Sequence, residues 1–520
     1  MKQKRSLRAI GVAVASAILM SSPLALLAKA PVISQTVVLD GLESPWDLAF
    51  LPDGTMFFTE KCKGLSVQLP DGEVNSLLGM VGSKGYAMTA DDLFCEGQAG
   101  MNGVALDTNF ADNHTLYVYS ASRTGDQPAT NRVLRLKVSS DLAGVSDRTD
   151  IVSDIPFKQA ASNHPFGDAG AHNGGRLRFN PEDGFLYVTT GDNHNSALPQ
   201  FGDNLGGKVL RIDRNGNAAL GNADATPDAF DPRIFTYGHR NVQGIAFHPE
   251  SHQPIITEHG PWHSDEINAL LAGANSGWDP RPNRAGRGDC PDNYCGYQPN
   301  QNEAMDRSKR AAYMPMTDFK TYPGAMKPLW TNDGYSQGIS SAAFLKGEQW
   351  GDWNGRLVVS FLGIGFGGTP VGQRINVIDL AADGAVRDIT EMPLPTGAAR
   401  FRGLVMGPDG ALYATVDEGQ IHRFSTDIAL DLPQARATDR APGENLYASN
   451  CAQCHGPTGK GMGSFPSLAG RDADYIRSRL ETYRSGGKVG ASSSLMIPNA
   501  QNLSDIDIAN LSEVIASNFQ

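Results

Sequence analysis

The sequence predicts an all-β six-bladed propeller followed by a second, smaller all-α domain. Three observations predict it. Six segments share one strand–turn–strand grammar, the composition is turn-rich with 58 Gly and 31 Pro, and the apolar spacing turns helical from Gly443 onward. At 520 residues the chain is too long for one average domain. Its Gly and Pro content and low Lys and Glu content exclude a long coiled coil.

Residues 1–30 read as a secretory signal peptide. Met1 to Arg8 is basic, Ala9 to Met20 is apolar, Leu24 to Leu27 extends the run, and Ala28-Lys29-Ala30 supplies small residues at a cleavage site. Pro31 is awkward there, so the cut falls close by rather than at a fixed bond. A membrane anchor is the alternative, but Ser21-Ser22-Pro23 breaks the run, which is shorter than the roughly 20 residues a span needs. The mature chain is expected to be exported to the periplasm without a transmembrane segment. Formal net charge is -12; the first thirty residues hold five Lys or Arg and no acid, which leaves -17 for the rest. So acidic a surface excludes nucleic acid or an anionic membrane as partner.

The propeller is expected over residues 31–426. Its six copies begin at Ser44 (SPWDLAFLPDGTMFFTE), Gly100 (GMNGVALDTNFADNHTLYVYS), Gly174 (GGRLRFNPEDGFLYVTTGD), Gln243 (QGIAFHPESHQPIITEHG), Gln337 (QGISSAAFLKGEQWGDWNGRLVVS) and Arg402 (RGLVMGPDGALYATVDEG). Pro-Asp-Gly, Glu-Asp-Gly or longer polar loops join the two strands, as hairpins require. The long, uneven spacing leaves room for a four-stranded blade of about 40–50 residues plus loops. Several unrelated β domains would not explain the shared grammar.

Propellers carry function on loops at one end of the channel. Three loops are rich in polar residues. In Gly170-Ala171-His172-Asn173-Gly174-Gly175, a His among small residues is open to substrate and titrates near neutrality, as a general base should, though a lone His is more often structural. In Tyr237-Gly238-His239-Arg240-Asn241, Arg offers a fork of donors for carboxylates or carbonyls and Asn offers both a donor and an acceptor; a surface turn is the alternative. In Glu258-His259-Gly260-Pro261, followed by Asp265-Glu266, carbonyls and carboxylates suit calcium, against the alternative of a solvated acidic turn.

Together and in this order the loops resemble the soluble pyrroloquinoline quinone-dependent aldose (glucose/sorbosone) dehydrogenases. The matching stretches are SPWDLAFLPDG, EGQAGMNGVALDTNF, HNGGRLRFNPEDGFLYVTTGD, GGKVLRID, IFTYGHRNVQGIAFHP, EHGPWHSDEIN and ARFRGLVMGPDGALY. The resemblance implies a six-bladed propeller, in agreement with the repeats. It implies that His172 is the catalytic base and that Gln98 lies near sugar and quinone. Arg240 and Asn241 would hold the quinone's oxygens, and Arg400 and Arg402 its carboxylates. The carbonyls of Gly260 and Pro261 would bind the calcium beside it, and Asp265 and Glu266 would belong to a neighbouring calcium region. Three positions depart from the family pattern. Ala171 replaces an acid before the His, Ser360 to Gly365 holds no Lys, and Ser276 replaces an aromatic.

Asp427 to Pro442 reads as a linker and residues 443–520 as the helical domain. There Cys451-Ala-Gln-Cys454-His455 is a c-type haem attachment motif. The stretch resembles a small class I cytochrome c. Cys451 and Cys454 would carry thioethers, His455 would be one iron ligand and Met496 the other, with Met462 as rival. A zinc site or a redox pair would not explain the late Met and the flanking helices. Helices are expected over Asp472 to Arg484 and from Ser504, a plausible N-cap. Four cysteines remain: Cys62, Cys95, Cys290 and Cys295. An even number in an oxidising compartment suggests two disulfides, and of the three pairings the sequence-local one joins Cys62 to Cys95 and Cys290 to Cys295.

The expected function is oxidation of an aldose, or a related alcohol or aldehyde, by pyrroloquinoline quinone with calcium. Electrons would pass through haem c to a soluble cytochrome or a respiratory-chain component. One alternative is a sugar- or protein-binding propeller whose cytochrome serves another enzyme. A calcium-dependent hydrolase is another, but it would have no use for a haem.

Overall fold

A computed structural model describes residues 30–161, 168–222, 227, 229–281, 308, 311–312, 314–332, 335–363 and 372–426, and, further on, 443, 446–447, 451, 455, 459–460, 466–490, 493–501 and 503–519. The expected signal peptide, linker, Cys290, Cys295, Cys454 and Met462 lie outside the described residues.

Alternating apolar residues and tight turns build six antiparallel sheets, the blades of a propeller. Blade one runs Pro45–Phe50, Met56–Glu60, Gly64–Gln68 and Val74–Gly79, with Met88–Thr89 as a short parallel addition. Blade two is Met101–Leu106, Thr115–Ser122, Thr130–Val138 and Val145–Ile155. Blade three is Leu177–Phe179, Leu186–Thr189, Lys208–Ile212 and Ile234–Tyr237. Blade four is Val242–Phe247, Pro254–Glu258, Glu266–Ala269 and Trp330–Thr331. Blade five is Ile339–Phe344, Leu357–Phe361, Arg374–Leu380 and Val386–Glu391. Blade six takes Phe401–Met406, Leu412–Val416 and Gln420–Ser425 from the end of the propeller sequence and Ser34–Leu39 from its start. Ser34 lies opposite Ser425 and Gln35 opposite Phe424, so the two ends of the propeller close the ring by strand pairing. Each sequence copy supplies the first two strands of one blade, and the first strands of neighbouring blades touch all the way round.

The core is divided accordingly. Six apolar clusters each straddle two adjacent blades; Leu65, Val67, Val104 and Leu134 join blades one and two, and Leu48, Phe58, Tyr413 and Ile421 join blades six and one. A sheet buried on both faces in this way needs near-continuous apolar strands, as Met56–Glu60 and Leu357–Phe361 are. The turn Asp keeps one geometry. Asp53, Asp183 and Asp409 each accept from the N–H two residues on, and Gly54, Gly184 and Gly410 follow with positive φ.

The channel is crossed by a buried ion cluster. Arg176 is fully buried, 2.6 Å from Asp47, and donates to the carbonyls of Gln243, Trp46 and Arg402. It thereby ties blade three to blades four, one and six. Burial brings its pKa down to about 10, although Asp47 opposes the shift. Asp47 also takes both ends of the Arg178 guanidinium at 2.8 Å; burial works against its charge, yet the two arginines hold it below the usual carboxylate range.

The C-terminal part is helical. Its described helices are Ala473–Arg484, Ser493–Ala500 and Asp505–Asn518. Asp472 caps the first by accepting from Tyr475 N, and Ser504 caps the last in a capping box with Asp507. Ile476, Leu480, Leu511 and Ile515 form the core, against which Cys451 and Met496 pack. Cys62 and Cys95 form a disulfide, the local pairing expected for them.

Candidate active site

A cavity of about 310 Å³ is lined by Gln98, His172, Arg240, Asn241, Gly260, Arg400 and Arg402 from the sequence reading. Its size falls at the low end of small-molecule and cofactor sites. Trp46, Lys61, His259 and Asp417 line it too, although the sequence reading did not single them out. Pro261, Asp265 and Glu266 are not among its lining residues.

His172 sits at φ 51° on the entry to blade three. Its main chain is held by Gln98 Oε1, which accepts from His172 N at 3.1 Å, and by Asn193, whose N and Nδ2 donate to the His172 carbonyl at 3.2 and 3.0 Å. A Cβ on Gly191 would come within 2.0 Å of that carbonyl, so only glycine lets the two segments approach. The ring lies 2.8 Å from Asp192 Oδ1 through Nδ1. Asp192 is fully buried and also accepts from His194 N and from Trp278 Nε1, at 3.0 and 2.8 Å. Its role as acceptor places the imidazole proton on Nδ1 and leaves the Nε2 lone pair as the basic atom. Asp192 escaped the sequence reading, although it stands in the quoted VTTGD at the end of a strand. An acid at the end of the strand following a candidate base was the available signal.

Arg240 and Asn241 enter from the loop before blade four. Arg240 N donates to Glu258 Oε1, Glu258 Oε2 lies 3.0 Å from His239 Nδ1, and Arg240 Nη1 donates to the His259 carbonyl at 2.9 Å. Arg240 Nε is buried without a hydrogen-bond partner among the described residues. Burial first, then the charges of Arg240 and Arg402, push His259 down to about 3, so it is neutral at physiological pH. Asn241 Oδ1 accepts from Gly174 N and Gln243 Nε2 at 3.3 and 3.0 Å.

The facing wall is cationic. Arg400 Nε and Arg402 Nη2 contact Asp417 Oδ2 at 3.1 and 2.7 Å. Burial opposes the Asp417 charge, but the two arginines hold its pKa below the usual value. Lys61, Arg240, Arg400 and Arg402 thus share one carboxylate among the described lining residues. Such a donor set fits a ligand bearing several carboxylates.

Asp265 turns back into the protein. It accepts from Gly260 N, Ser336 Oγ and Gln337 N at 3.0, 2.6 and 2.8 Å and so shapes the Gly260–Pro261 turn. Burial raises its pKa. Glu266 accepts from Thr317 Oγ1 at 2.8 Å and Asn268 Nδ2 at 3.3 Å; burial, and next the Glu258 charge, push it up to about 8. Among the described residues no three His, Cys, Asp or Glu side chains gather into a metal site. The Gly260–Pro261 turn offers backbone oxygens beside the cavity. A Cβ on Gly260 would meet the carbonyls of His263 and Ser264 at 1.8 and 2.5 Å, and Trp262 and Ser264 take positive φ in the same turn. Carbonyls crowded in this way are donors of the class calcium takes.

In the helical domain His455 is nearly buried and its Nδ1 lies 2.8 Å from the Pro466 carbonyl. A carbonyl only accepts, so Nδ1 carries the proton and Nε2 is free to ligate iron. Met496 packs against the same core. These residues fit a haem held through Cys451.

Comparison with known proteins bears on both parts. The family model for glucose/sorbosone dehydrogenase matches residues 42–423, and that for cytochrome c matches residues 441–518. The chain is 27% identical to an aldose sugar dehydrogenase of Escherichia coli over 76% of its own length and 92% of that protein. A solved apo structure of the soluble aldose sugar dehydrogenase from the same species superposes with a TM-score of 0.58 at 25% identity, covering 76% of this chain and all of that one. Quinoprotein glucose dehydrogenase B of Acinetobacter calcoaceticus is 26% identical over 58% of this chain and 66% of that protein. The C-terminal domain is 42% identical to cytochrome c-554(547) of Halothiobacillus neapolitanus over 16% of this chain and 98% of that protein.

Proposed function

This chain belongs to the glucose/sorbosone dehydrogenase family and carries a cytochrome c domain, and from that premise we propose that it is a periplasmic quinohaemoprotein that oxidises an aldose or a related hydroxyl substrate. When bound, pyrroloquinoline quinone accepts a hydride, calcium polarises it, and haem c takes electrons one at a time.

The chain's own residues supply the rest. His172 Nε2 takes the proton from the substrate hydroxyl as the hydride leaves. Asp192 keeps the ring in the required tautomer and balances the imidazolium charge. Arg240, whose Nε has no partner among the described residues, and Asn241 hold the oxygens that become negative. Arg400 and Arg402 hold carboxylates, and Gly260 and Pro261 offer carbonyls to calcium. Gln98 positions the His172 backbone and borders the substrate side. His455 and Met496 hold the iron, with thioethers at Cys451 and Cys454. Electrons then pass to an external acceptor, a soluble cytochrome or a respiratory-chain component. The fusion keeps the haem at high effective concentration beside the propeller.

The observation that carries the reading is the cavity itself, where a carboxylate-oriented His faces a cluster of cations. Adding a panel of aldoses to the oxidised protein with calcium, with and without pyrroloquinoline quinone, tests it through the haem spectrum. Reduction that requires both sugar and quinone is expected. A protein that binds no quinone would overturn the reading and leave a binding propeller in its place.

A further inference from the structure

Arg240, Arg400 and Arg402 do not exhaust the positive charge of the cavity. Lys61 follows directly on the second strand of blade one and lines the cavity beside Trp46. Its backbone is pinned from both sides: Lys61 N donates to the Ser44 carbonyl at 3.1 Å, and Met101 N donates to the Lys61 carbonyl at 2.9 Å. Its Nζ donates to the Gly97 carbonyl at 2.7 Å. That carbonyl belongs to the loop that carries Gln98. The next residue, Cys62, is bonded to Cys95 at the head of the same loop. The loop has no slack, since a Cβ on Gly97 would meet the Ala169 carbonyl at 2.0 Å and one on Gly100 would meet the Lys61 carbonyl at 2.2 Å. Lys61 and Gln98 therefore form one cross-linked unit between blades one and two.

The charge of Lys61 is only distantly compensated, by Asp417 and Glu43. Arg400 and Arg402 share Asp417, whereas among the described residues no carboxylate forms an ion pair with Lys61. One of its three ammonium hydrogens is used on Gly97. Burial, and then the like charge of Arg402, depress its pKa. Among the described residues, the cavity is lined on the blade-five side by Leu362 and Gly363, which bring no charge. A half-buried ammonium pressed toward another cation is costly unless an anion joins them.

We propose that Lys61 is a further binding residue of this site, which holds a carboxylate of the anionic quinone from the blade-one side and is positioned for it by the Cys62–Cys95 bridge. The inference rests on the reading above that the cavity takes a polycarboxylated quinone.

Titrating pyrroloquinoline quinone into the haem-loaded, calcium-supplemented full chain tests it, with calorimetry or quenching of tryptophan fluorescence as the readout. K61M and K61Q are each expected to raise Kd about 10- to 100-fold, the effect of one charge-assisted hydrogen bond, and to flatten the salt dependence of binding. K61R is expected to recover most of the affinity, and C62S/C95S to lose part of it with Lys61 intact. An unchanged haem spectrum, with an unchanged melting temperature for the Lys61 and Arg402 variants and a cooperative melt above the assay temperature for C62S/C95S, confirms that each variant is folded. If K61M and K61Q bind the quinone as tightly as the parent while R402M does not, the assignment of Lys61 is overturned and the reading of the cavity survives. If the parent binds no quinone, that reading itself fails and takes this inference with it.

Discussion

The two walls of the cavity solve different problems. On the wall from blades three and four, His172, Arg240 and Asn241 are between 2% and 6% exposed. Their geometry is set by buried partners: Asp192 behind His172, Glu258 behind the Arg240 backbone, and Gly174 and Gln243 around Asn241. The wall from blades one and six is wetter. The side chains of Arg400, Arg402 and Asp417 are 18% to 27% exposed, and Lys61 is half-buried. Proton abstraction, as proposed for His172, needs one tautomer at one place, which the contact with buried Asp192 provides. Charge recognition tolerates water, because attraction between opposite charges survives small displacements.

The largest effect should come from breaking the dry wall. His172→Ala is expected to slow substrate-driven haem reduction by about 10²–10⁴-fold at saturating quinone. Asp192→Asn should fall within the same range by favouring the wrong tautomer, with quinone affinity little changed in both. Equal loss of quinone binding would show that this wall works chiefly in binding, and the contrast would collapse.

Next in size is the ion cluster beneath both walls. Arg176→Met leaves Asp47 buried with Arg178 alone and severs three interblade contacts. Equilibrium unfolding of the propeller should show a loss of about 3–5 kcal/mol, the cost of stranding a buried charge. Removing Asp47 as well, as Asn, should return part of it. A variant as stable as the parent would mean that the walls are held by the interblade apolar clusters alone.

The smallest effect concerns Glu266. Its carboxyl is raised from 4.5 to about 8 by burial and by Glu258. The stability contributed by its neutral form is full below about 4.5 and is lost as pH rises through about 8. Glu266→Gln keeps the acceptor for Thr317, and the new amide replaces the oxygen that accepts from Asn268 Nδ2, so Asn268 turns over to present its Oδ1, which has no partner among the described residues. Melts across pH 5 to 9 should then flatten, with a gain of about 1–2 kcal/mol at the alkaline end. A drop in calcium affinity instead would restore Glu266 to the ligand role expected of it from sequence.

The legible parts were local. Each hairpin announces itself by alternation and by a turn, Asp-Gly in three copies and a longer polar loop in the other three, so six copies could be counted without knowing how they pack. His172 stood out because small residues flank it, Arg240 and Asn241 because of their donors and acceptors, and all three because the loops carrying them resemble one family. Asp192, Trp278 and Glu258 did not, because their roles depend on neighbours far along the chain; Trp278 reaches Asp192 across 86 positions. A buried carboxylate looks like any surface acid until its donors are known. The same holds for Asp265, expected as a metal ligand, whose oxygens the structure fills with three protein donors.

By itself the sequence determined the class of fold, the number of blades, the change to a helical cytochrome c domain and the residue types that line the cavity. These rest on periodicity, turn chemistry and short motifs, all confined to a few tens of residues. Only the tertiary structure decided which acid orients His172, that Arg176 and Asp47 tie four blades together, that Ser34–Leu39 closes blade six, and that Lys61 reaches the cavity. The reason is burial. A charge's partner, tautomer and pKa are set by what surrounds it once water has been removed, and those surroundings come from segments that only closure of the ring brings together.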